Sequence, residues 1–241
     1  TATALLPMMS RSASAGNIDE LKQTLSIGLR SILFIMLPAT VGLIVLRVPI
    51  IRLLFEYGRF EAAATANTAY ALLFYAVGLF SFSGAKVFAF AFYSMKETRL
   101  PVLVAAGAMV ANIVLNILLM FPLKQGGLAL ASSLSSTLNM ALLWILLEKK
   151  IGRLDFRSIS IAAAKISLIS ILMGVFVYVL YIGCGRWGDT TGVAGRLFVV
   201  AVPLVGGIVF YMAAASAIRL EEAEQVRSLW RRRFSPSSSS Q

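Results

Sequence analysis

Apolar residues are concentrated in six long stretches, and the short joints between them hold nearly all the charges. The stretches lie near residues 31–46, 66–95, 102–120, 127–147, 159–182 and 197–218. A helix rises about 1.5 Å per residue, so about 20 apolar residues cross a hydrocarbon layer about 30 Å thick. Five stretches reach or nearly reach that length, and the first does so once residues 25–31 are added. No stretch alternates as a barrel strand does, so each predicts a transmembrane helix.

The pattern therefore predicts an all-α, polytopic helical membrane protein with six full transmembrane helices. The chain opens with Thr1 rather than Met, and residues 1–9 have the composition of the end of a preceding helix. This start predicts a truncated or fragmentary chain.

The joint before the first long stretch carries a helix-start signal, and the joint after it predicts a separate short helix. Asn17 is a plausible N-cap because Glu20 follows three residues later, as in a capping box. Pro38 removes a backbone donor and predicts a kink. Residues 47–60 are too short and charged to span a membrane, so they predict an interfacial helix from Pro49 to Gly58.

Basic residues are divided unequally between the two sides of the predicted bundle. The chain is 59% hydrophobic and only 14% charged, which excludes an ordinary soluble enzyme. The net charge of +11 would suit nucleic acid, but the placement of the charges favours a membrane topology signal and no nucleic-acid partner. One side holds 15 basic residues: Arg11, Lys22, Arg30, Lys96, Arg99, Lys149, Lys150, Arg153, Arg157, Lys165, Arg219, Arg227, Arg231, Arg232 and Arg233. The other side holds 6: Arg47, Arg52, Arg59, Lys124, Arg186 and Arg196. Because basic residues favour the cytoplasmic face, both chain ends are predicted to be cytoplasmic.

The amino-acid composition and motifs of the chain exclude several kinds of catalytic and binding site. The chain has no histidine, and Cys184 is its single cysteine, so neither a histidine relay nor an intrachain disulfide is possible. There is no Walker A pattern, and the G-x-G-x-x-G at Gly183, Gly185 and Gly188 follows no predicted strand. We therefore predict no catalytic residue, no metal site and no cofactor, and a protein that is not an enzyme.

Unlike Lys165, which begins only about a turn inside its helix and can snorkel, Lys86 lies deep inside a predicted transmembrane helix. It lies about nine residues, or about 13 Å, from the predicted cytoplasmic end near Met95. A lysine near a helix centre costs about 2.5–3.5 kcal/mol on insertion scales. Ser83 and Tyr93 share its face by spacing. Two interpretations of Lys86 follow. Its face lines a water-filled cavity or substrate path, or the side chain snorkels to the boundary or forms a hydrogen bond to packed neighbours.

Amides and hydroxyls mark the next two stretches. Asn112 and Asn116 are four residues apart on one helix face, and the fourth stretch contributes Ser132, Ser133, Ser135, Ser136, Thr137 and Asn139. Such residues allow helices to approach closely and to hydrogen-bond to one another. Helix packing is one interpretation of this pattern, and a polar cavity wall is the other.

The last two stretches lack a polar face. They are typical of lipid-facing helices or of the wall of a groove for an acyl chain. Residues 219–234 predict an amphipathic tail with Leu220, Ala223 and Trp230 on one side and a basic end, which anionic lipid head groups would hold.

A series of short motifs lies between residue 1 and about residue 147. They are Leu5-Leu6-Pro7, Ser10-Arg11, Gly28-Leu29-Arg30, Leu37-Pro38, Pro49-Ile50, Leu54-Phe55, Gly58-Arg59-Phe60, Lys86, Phe92-Tyr93, Thr98-Arg99-Leu100-Pro101-Val102, Asn112, Asn116, Gly127-Leu128-Ala129-Leu130-Ala131 and Asn139. In order and spacing they resemble the lipid II flippase family (MurJ, also MviN) of the multidrug/oligosaccharidyl-lipid/polysaccharide exporter superfamily. The remainder of the chain resembles the family only in having two more helices.

The resemblance implies a fourteen-helix parent with two lobes around a central cavity, of which this chain is the C-terminal half. Residues 1–158 would then form second-lobe helices, 159–218 two additional helices and 219–241 a cytoplasmic basic tail. The missing N-terminal lobe, membrane lipids and a lipid-linked precursor are the implied partners. The implied location is the bacterial cytoplasmic (inner) membrane.

The implied function is flipping of undecaprenyl-linked peptidoglycan precursor, used for cell wall biogenesis and cell shape, by alternating access. Lys86 resembles a cavity lysine of the family, and Asn112 and Asn116 join it as candidate substrate-binding residues. The family's head-group arginines lie upstream of Leu5-Leu6-Pro7, and Arg30, at a membrane edge, is not their substitute. A drug or polysaccharide exporter, or an inactive fragment or scaffold, are the alternatives.

Overall fold

Helices account for almost the whole of the described chain. The computed structural model describes residues 2–55, 62–187, 192–218, 220 and 222–224. Within these ranges the helices are α1 (Ala2–Ser14), α2 (Ile18–Phe55), α3 (Ala62–Ser94), α4 (Arg99–Leu123), α5 (Gln125–Ile151), α6 (Phe156–Trp187) and α7 (Val193–Ala217). Helices α2 to α7 are each long and apolar enough to cross a membrane, and no strand occurs in the described ranges. The prediction of an all-α, polytopic fold is confirmed.

A tight turn separates α1 from α2. Gly16 has φ +69°, and the Asn17 N–H donates to the Ser12 carbonyl at 3.0 Å, which closes α1. The Glu20 N–H then donates to Asn17 Oδ1 at 3.1 Å, and Asn17 Nδ2 donates to Glu20 Oε2 at 3.3 Å. The predicted N-cap is confirmed.

Helix α2 continues beyond the first apolar stretch, so the predicted interfacial helix from Pro49 is wrong over the described residues. Pro38 and Pro49 both lie inside α2. A proline in a membrane helix is tolerated where a neighbour satisfies the freed backbone carbonyl. At Pro38 the carbonyl four residues earlier is that of Phe34, and the Tyr211 hydroxyl of α7 donates to it at 2.8 Å. The predicted end at Gly58 lies outside the described residues.

The helices form one bundle with two distinct sides. Helix α3 packs between α2 and α5, and α4 packs on α5. Helix α6 packs on α2, and α7 packs on α6 and α2, while α1 rests on α2 and α3. One buried apolar cluster extends from Met9 in α1 to Ala223 after α7. The bundle thus presents one face built by α3, α4 and α5 and another built by α2, α6 and α7.

The segment after α7 packs into the protein, contrary to the prediction of a lipid-bound amphipathic tail. Leu220 and Ala223 are buried in the apolar cluster. Glu222 is buried as well, and its Oε1 accepts a hydrogen bond from Arg30 Nε at 2.7 Å. This ion pair and the two apolar side chains hold residues 220 and 222–224 against α2. The rest of the predicted tail, including Trp230, lies outside the described residues.

Small and hydroxyl residues allow α3 and α5 to approach closely. Ser133 Oγ donates to the Phe74 carbonyl at 2.7 Å, and Ser81 Oγ and Thr137 Oγ1 lie 2.9 Å apart. A Cβ atom added at Gly78 would lie 2.7 Å from Ser133 Cβ and 3.0 Å from Ser133 Cα. For these hydroxyls the helix-packing interpretation is supported.

We expect Gly78→Ala to destabilise the bundle by about 1–3 kcal/mol, because the new methyl group overpacks the interface against the backbone of Ser133. The melting temperature of the purified protein in detergent measures the effect. Gly107→Ala on α4 is the matched control, since a Cβ there meets nothing within 4 Å. Adding Ser133→Gly to Gly78→Ala should restore part of the loss. Equal melting temperatures for the two alanine variants would contradict this packing.

Candidate functional site

A groove of about 460 Å³ lies on the face built by α3, α4 and α5. It is lined by Phe82, Ala85, Lys86, Ala89, Tyr93, Pro101, Ala105, Ala108, Met109, Asn112, Ser132, Ser135, Ser136, Asn139 and Leu143. Its walls combine apolar carbon with amides, hydroxyls and one ammonium group. A polar groove at this place matches the cavity interpretation of the amide and hydroxyl pattern.

Lys86 lies on the α3 wall of the groove with an exposed side chain. Tyr93 shares this wall as predicted, but Ser83 does not line the groove, and Phe82 does. Helical geometry explains the difference, because each residue turns about 100° around the axis. Relative to Lys86, Ser83 lies about 60° to one side, whereas Phe82, Ala89 and Tyr93 all lie to the other.

Asn112 and Asn116 form a hydrogen-bonded chain that reaches α5. Asn116 Nδ2 donates to Asn112 Oδ1 at 2.9 Å, and Asn112 Nδ2 donates to Ser135 Oγ at 3.0 Å. Asn112 lines the groove beside Lys86, whereas Asn116 does not line it. The structure therefore brings two of the three predicted site residues to one groove and places the third behind Asn112. These hydrogen bonds also fix α4 on α5. The same amides therefore take part in helix packing and in forming the cavity.

Asn139 is a groove residue that was not predicted as part of the site. Its Oδ1 is buried and has no hydrogen-bond partner among the described residues. A buried, unpaired amide oxygen is uncommon and costs about 1–3 kcal/mol. The sequence signal that could have identified Asn139 is a stripe along one face of α5. Its members follow helical spacing and are Ser132, Ser135, Ser136, Asn139 and Leu143.

The groove carries a positive charge among its polar groups. Among the described residues no group of three or more His, Cys, Asp or Glu side chains is placed to hold a metal ion. Lys86 supplies a point charge that pairs well with phosphate oxygens, and the Tyr93 hydroxyl adds a donor.

A second groove, of about 540 Å³ and almost wholly apolar, lies on the face built by α2, α6 and α7. It is lined by Phe34, Ile35, Pro38, Ala39, Gly42, Leu43, Leu46, Ile50, Met173, Val177, Leu204, Gly207, Ile208, Tyr211 and Met212. Helices α6 and α7 also expose apolar side chains outward, such as Leu168 and Val205. The two helices therefore expose apolar side chains and also line an apolar groove, so a lipid-facing surface and a groove wall for an acyl chain both stay predictions.

Comparisons with known proteins agree on one family. The family described as "Lipid II flippase MurJ" matches residues 1–192, which extends past residue 147, where the recognised motifs end. The protein named "Probable lipid II flippase MurJ" from Vibrio cholerae serotype O1 is 41% identical over 143 residues, or 59% of this chain and 27% of the relative. A relative of the same name from Rhizobium tropici is 31% identical over 97% of this chain and 44% of its own length.

A solved structure titled "Lipid II flippase MurJ, inward closed conformation" superimposes with a TM-score of 0.71 at 25% identity. The match covers 90% of this chain and 42% of that one. The chain thus spans less than half the length of these relatives. With a family match over most of its residues and a shared fold, the chain belongs to the MurJ family of lipid II flippases.

Proposed function

We propose that this protein takes part in moving lipid II, an undecaprenyl-linked peptidoglycan precursor, across the inner membrane by alternating access. The observation that carries the proposal is the exposed Lys86 in a polar groove of a chain that belongs to this family. The relatives are named as flippases, which are transporters. Accordingly, the proposed process moves the substrate without making or breaking a covalent bond.

Lys86, Asn112 and Asn116 are the proposed substrate-binding residues, with unequal roles. Lys86 attracts the pyrophosphate as a point charge. Asn112 lines the same groove from α4 and contacts the head group, while Asn116 orients Asn112 through the hydrogen bond to its Oδ1. Asn139 lines the same groove and is a fourth residue that contacts the head group in this proposal. The apolar groove on the other face accommodates part of the lipid chain.

Alternating access requires two lobes that move about a shared site. The described helices supply one side of such a site, the face built by α3, α4 and α5. The proposed second lobe contacts the substrate from the opposite side.

The six apolar helices and the family indicate a multi-pass inner-membrane protein. We propose that both chain ends are cytoplasmic, because of the unequal distribution of basic residues. Single cysteines at two exposed positions, Arg153→Cys and Arg186→Cys, test this in a Cys184→Ser background. In intact cells an impermeant maleimide should label position 186 and leave position 153 unlabelled until the membrane is opened. The reverse pattern would refute the orientation.

A chimera tests the proposed function. The matching segment of the Rhizobium tropici relative is replaced by this chain, and the chimera is expressed in a bacterium depleted of its own flippase. Growth and the appearance of lipid II at the outer surface should be restored. A chimera that is present at normal levels in the membrane but restores neither would overturn the proposal. Restored export of a drug or polysaccharide without lipid II movement would favour the other exporter functions.

A further inference from the structure

A third pocket, of about 370 Å³, lies where α6 begins, away from both grooves. It is lined by Arg30, Asp155, Arg157, Ser158, Ile161, Ala162, Lys165 and Leu220. None of these residues lines the α3–α4–α5 groove. Three cationic side chains from two helices therefore face one pocket, with the buried Leu220 behind them, and this charge is separate from the proposed substrate site.

Asp155 is the one acidic side chain among the described residues that line the pocket, and the three cations outnumber it. Asp155 Oδ1 accepts the Ser158 N–H at 3.2 Å and so caps the first turn of α6. Arg30 is oriented toward the pocket by Glu222 and by Ser158 Oγ, to which its guanidinium donates at 3.4 Å. Arg157 and Lys165 are exposed, and neither forms an ion pair with any acidic residue that the structure describes.

The side chains of Arg157 and Lys165 converge on the pocket although the two residues lie at different levels of α6. Lys165 lies eight residues, or about 12 Å, beyond Arg157 along α6. Side chains of a helix lean toward its N-terminus, and a lysine in a membrane helix extends its ammonium toward the nearer polar boundary. Both tendencies carry the Lys165 ammonium back over Ile161, toward Arg157 and Arg30. The pocket is thus a cationic site at the boundary of the apolar layer.

The surface next to the pocket identifies the kind of anion. Arg157, Ile161 and Lys165 lie on one face of α6, and Leu168 and Leu172 continue it at helical spacing. Ile161, Leu168 and Leu172 are exposed, with 48%, 59% and 51% of their surface accessible. An anion held by the basic residues would therefore have an apolar stripe directly beside it. This arrangement fits a phosphate that carries acyl chains better than a free phosphate ion.

We propose that this pocket binds the phosphate of an anionic phospholipid, whose acyl chain lies along the exposed α6 stripe. The phosphate is held by Arg157 and Lys165, with Arg30 behind them. The bound lipid bridges α2, α6 and the segment after α7, because Leu220 forms part of the same pocket.

The test measures binding of short-chain phosphatidylglycerol to the purified protein in detergent. The variant carrying both Arg157→Gln and Lys165→Gln should bind it about 30-fold more weakly, since each basic residue near a lipid head group contributes on the order of 1 kcal/mol. The matched control carries Lys96→Gln and Arg99→Gln, which removes two exposed cations from another joint. Binding by the control should be unchanged. The charge-preserving pair Arg157→Lys and Lys165→Arg should retain most of the affinity and excludes misfolding as the cause.

Two further probes identify the source of the phosphate. Phosphatidylcholine of the same chain length should bind weakly, because its head group has no net charge. Glycerol phosphate, which lacks acyl chains, should compete poorly. Equal binding of phosphatidylcholine, or an unchanged affinity in the Gln pair, would overturn the site, and competition by glycerol phosphate as strong as by the lipid would overturn the role of the α6 stripe. Lys86→Gln should leave phosphatidylglycerol binding unchanged, so the result is independent of lipid II transport.

Discussion

Lys86→Met is expected to reduce lipid II translocation by about 10- to 150-fold. The substitution keeps an unbranched apolar stem of similar length but removes the only charge among the described residues that line the groove. A hydrogen bond to a charged group contributes about 1.5–3 kcal/mol, which corresponds to this range. Lys86→Arg should retain part of the activity, because it preserves the charge but changes its shape. Appearance of lipid II at the outer surface in the chimera background measures both variants.

Lys149→Met is the matched control for this experiment. Lys149 is exposed in the last turn of α5 and lies outside the groove. Its loss should leave translocation near the unmodified level. Normal translocation by Lys86→Met at normal protein levels would refute the role of Lys86. A loss of translocation in both variants would show that net basic charge matters rather than the groove.

The helices were predictable because lipid imposes a strong constraint on sequence. A run of about 20 apolar residues has few alternatives to a helix when backbone groups must be satisfied internally. The junction at Pro49 was predicted wrongly, because a proline usually ends a helix in water but α2 continues through Pro49. At Pro38, in the same helix, the freed Phe34 carbonyl accepts a hydrogen bond from the Tyr211 hydroxyl. That partner lies 177 positions away in the chain, where local spacing carries no information about it.

The candidate site was predictable only in part. A lysine inside an apolar stretch is visible in sequence, and Tyr93 follows from helical spacing. The rotation of α3 within the bundle is not visible, and it decides that Phe82 rather than Ser83 faces the groove. Asn139 was assigned to the polar stripe but not to the site, because its unpaired oxygen is a property of the packed bundle.

Arg30→Met is expected to lower the free energy of unfolding by about 3 kcal/mol. Arg30 Nε and Glu222 Oε1 are 2.7 Å apart, and the Glu222 side chain is only 5% exposed. Breaking a buried ion pair by removing one partner costs about 3–5 kcal/mol, because the other charge stays buried without compensation. The lower end of this range applies, since the Arg30 side chain is 20% exposed.

A surface ion pair in the same chain provides the control. Lys150 and Glu97 are paired with side chains 39% and 29% exposed, so Lys150→Met should cost no more than about 1 kcal/mol. The melting temperature of the purified protein in detergent compares the two variants. Combining Arg30→Met with Glu222→Met should recover much of the loss, because no buried charge then remains unpaired. If Arg30→Met were as mild as Lys150→Met, the segment after α7 would be held by Leu220 and Ala223 alone, and the ion pair would contribute nothing to its position.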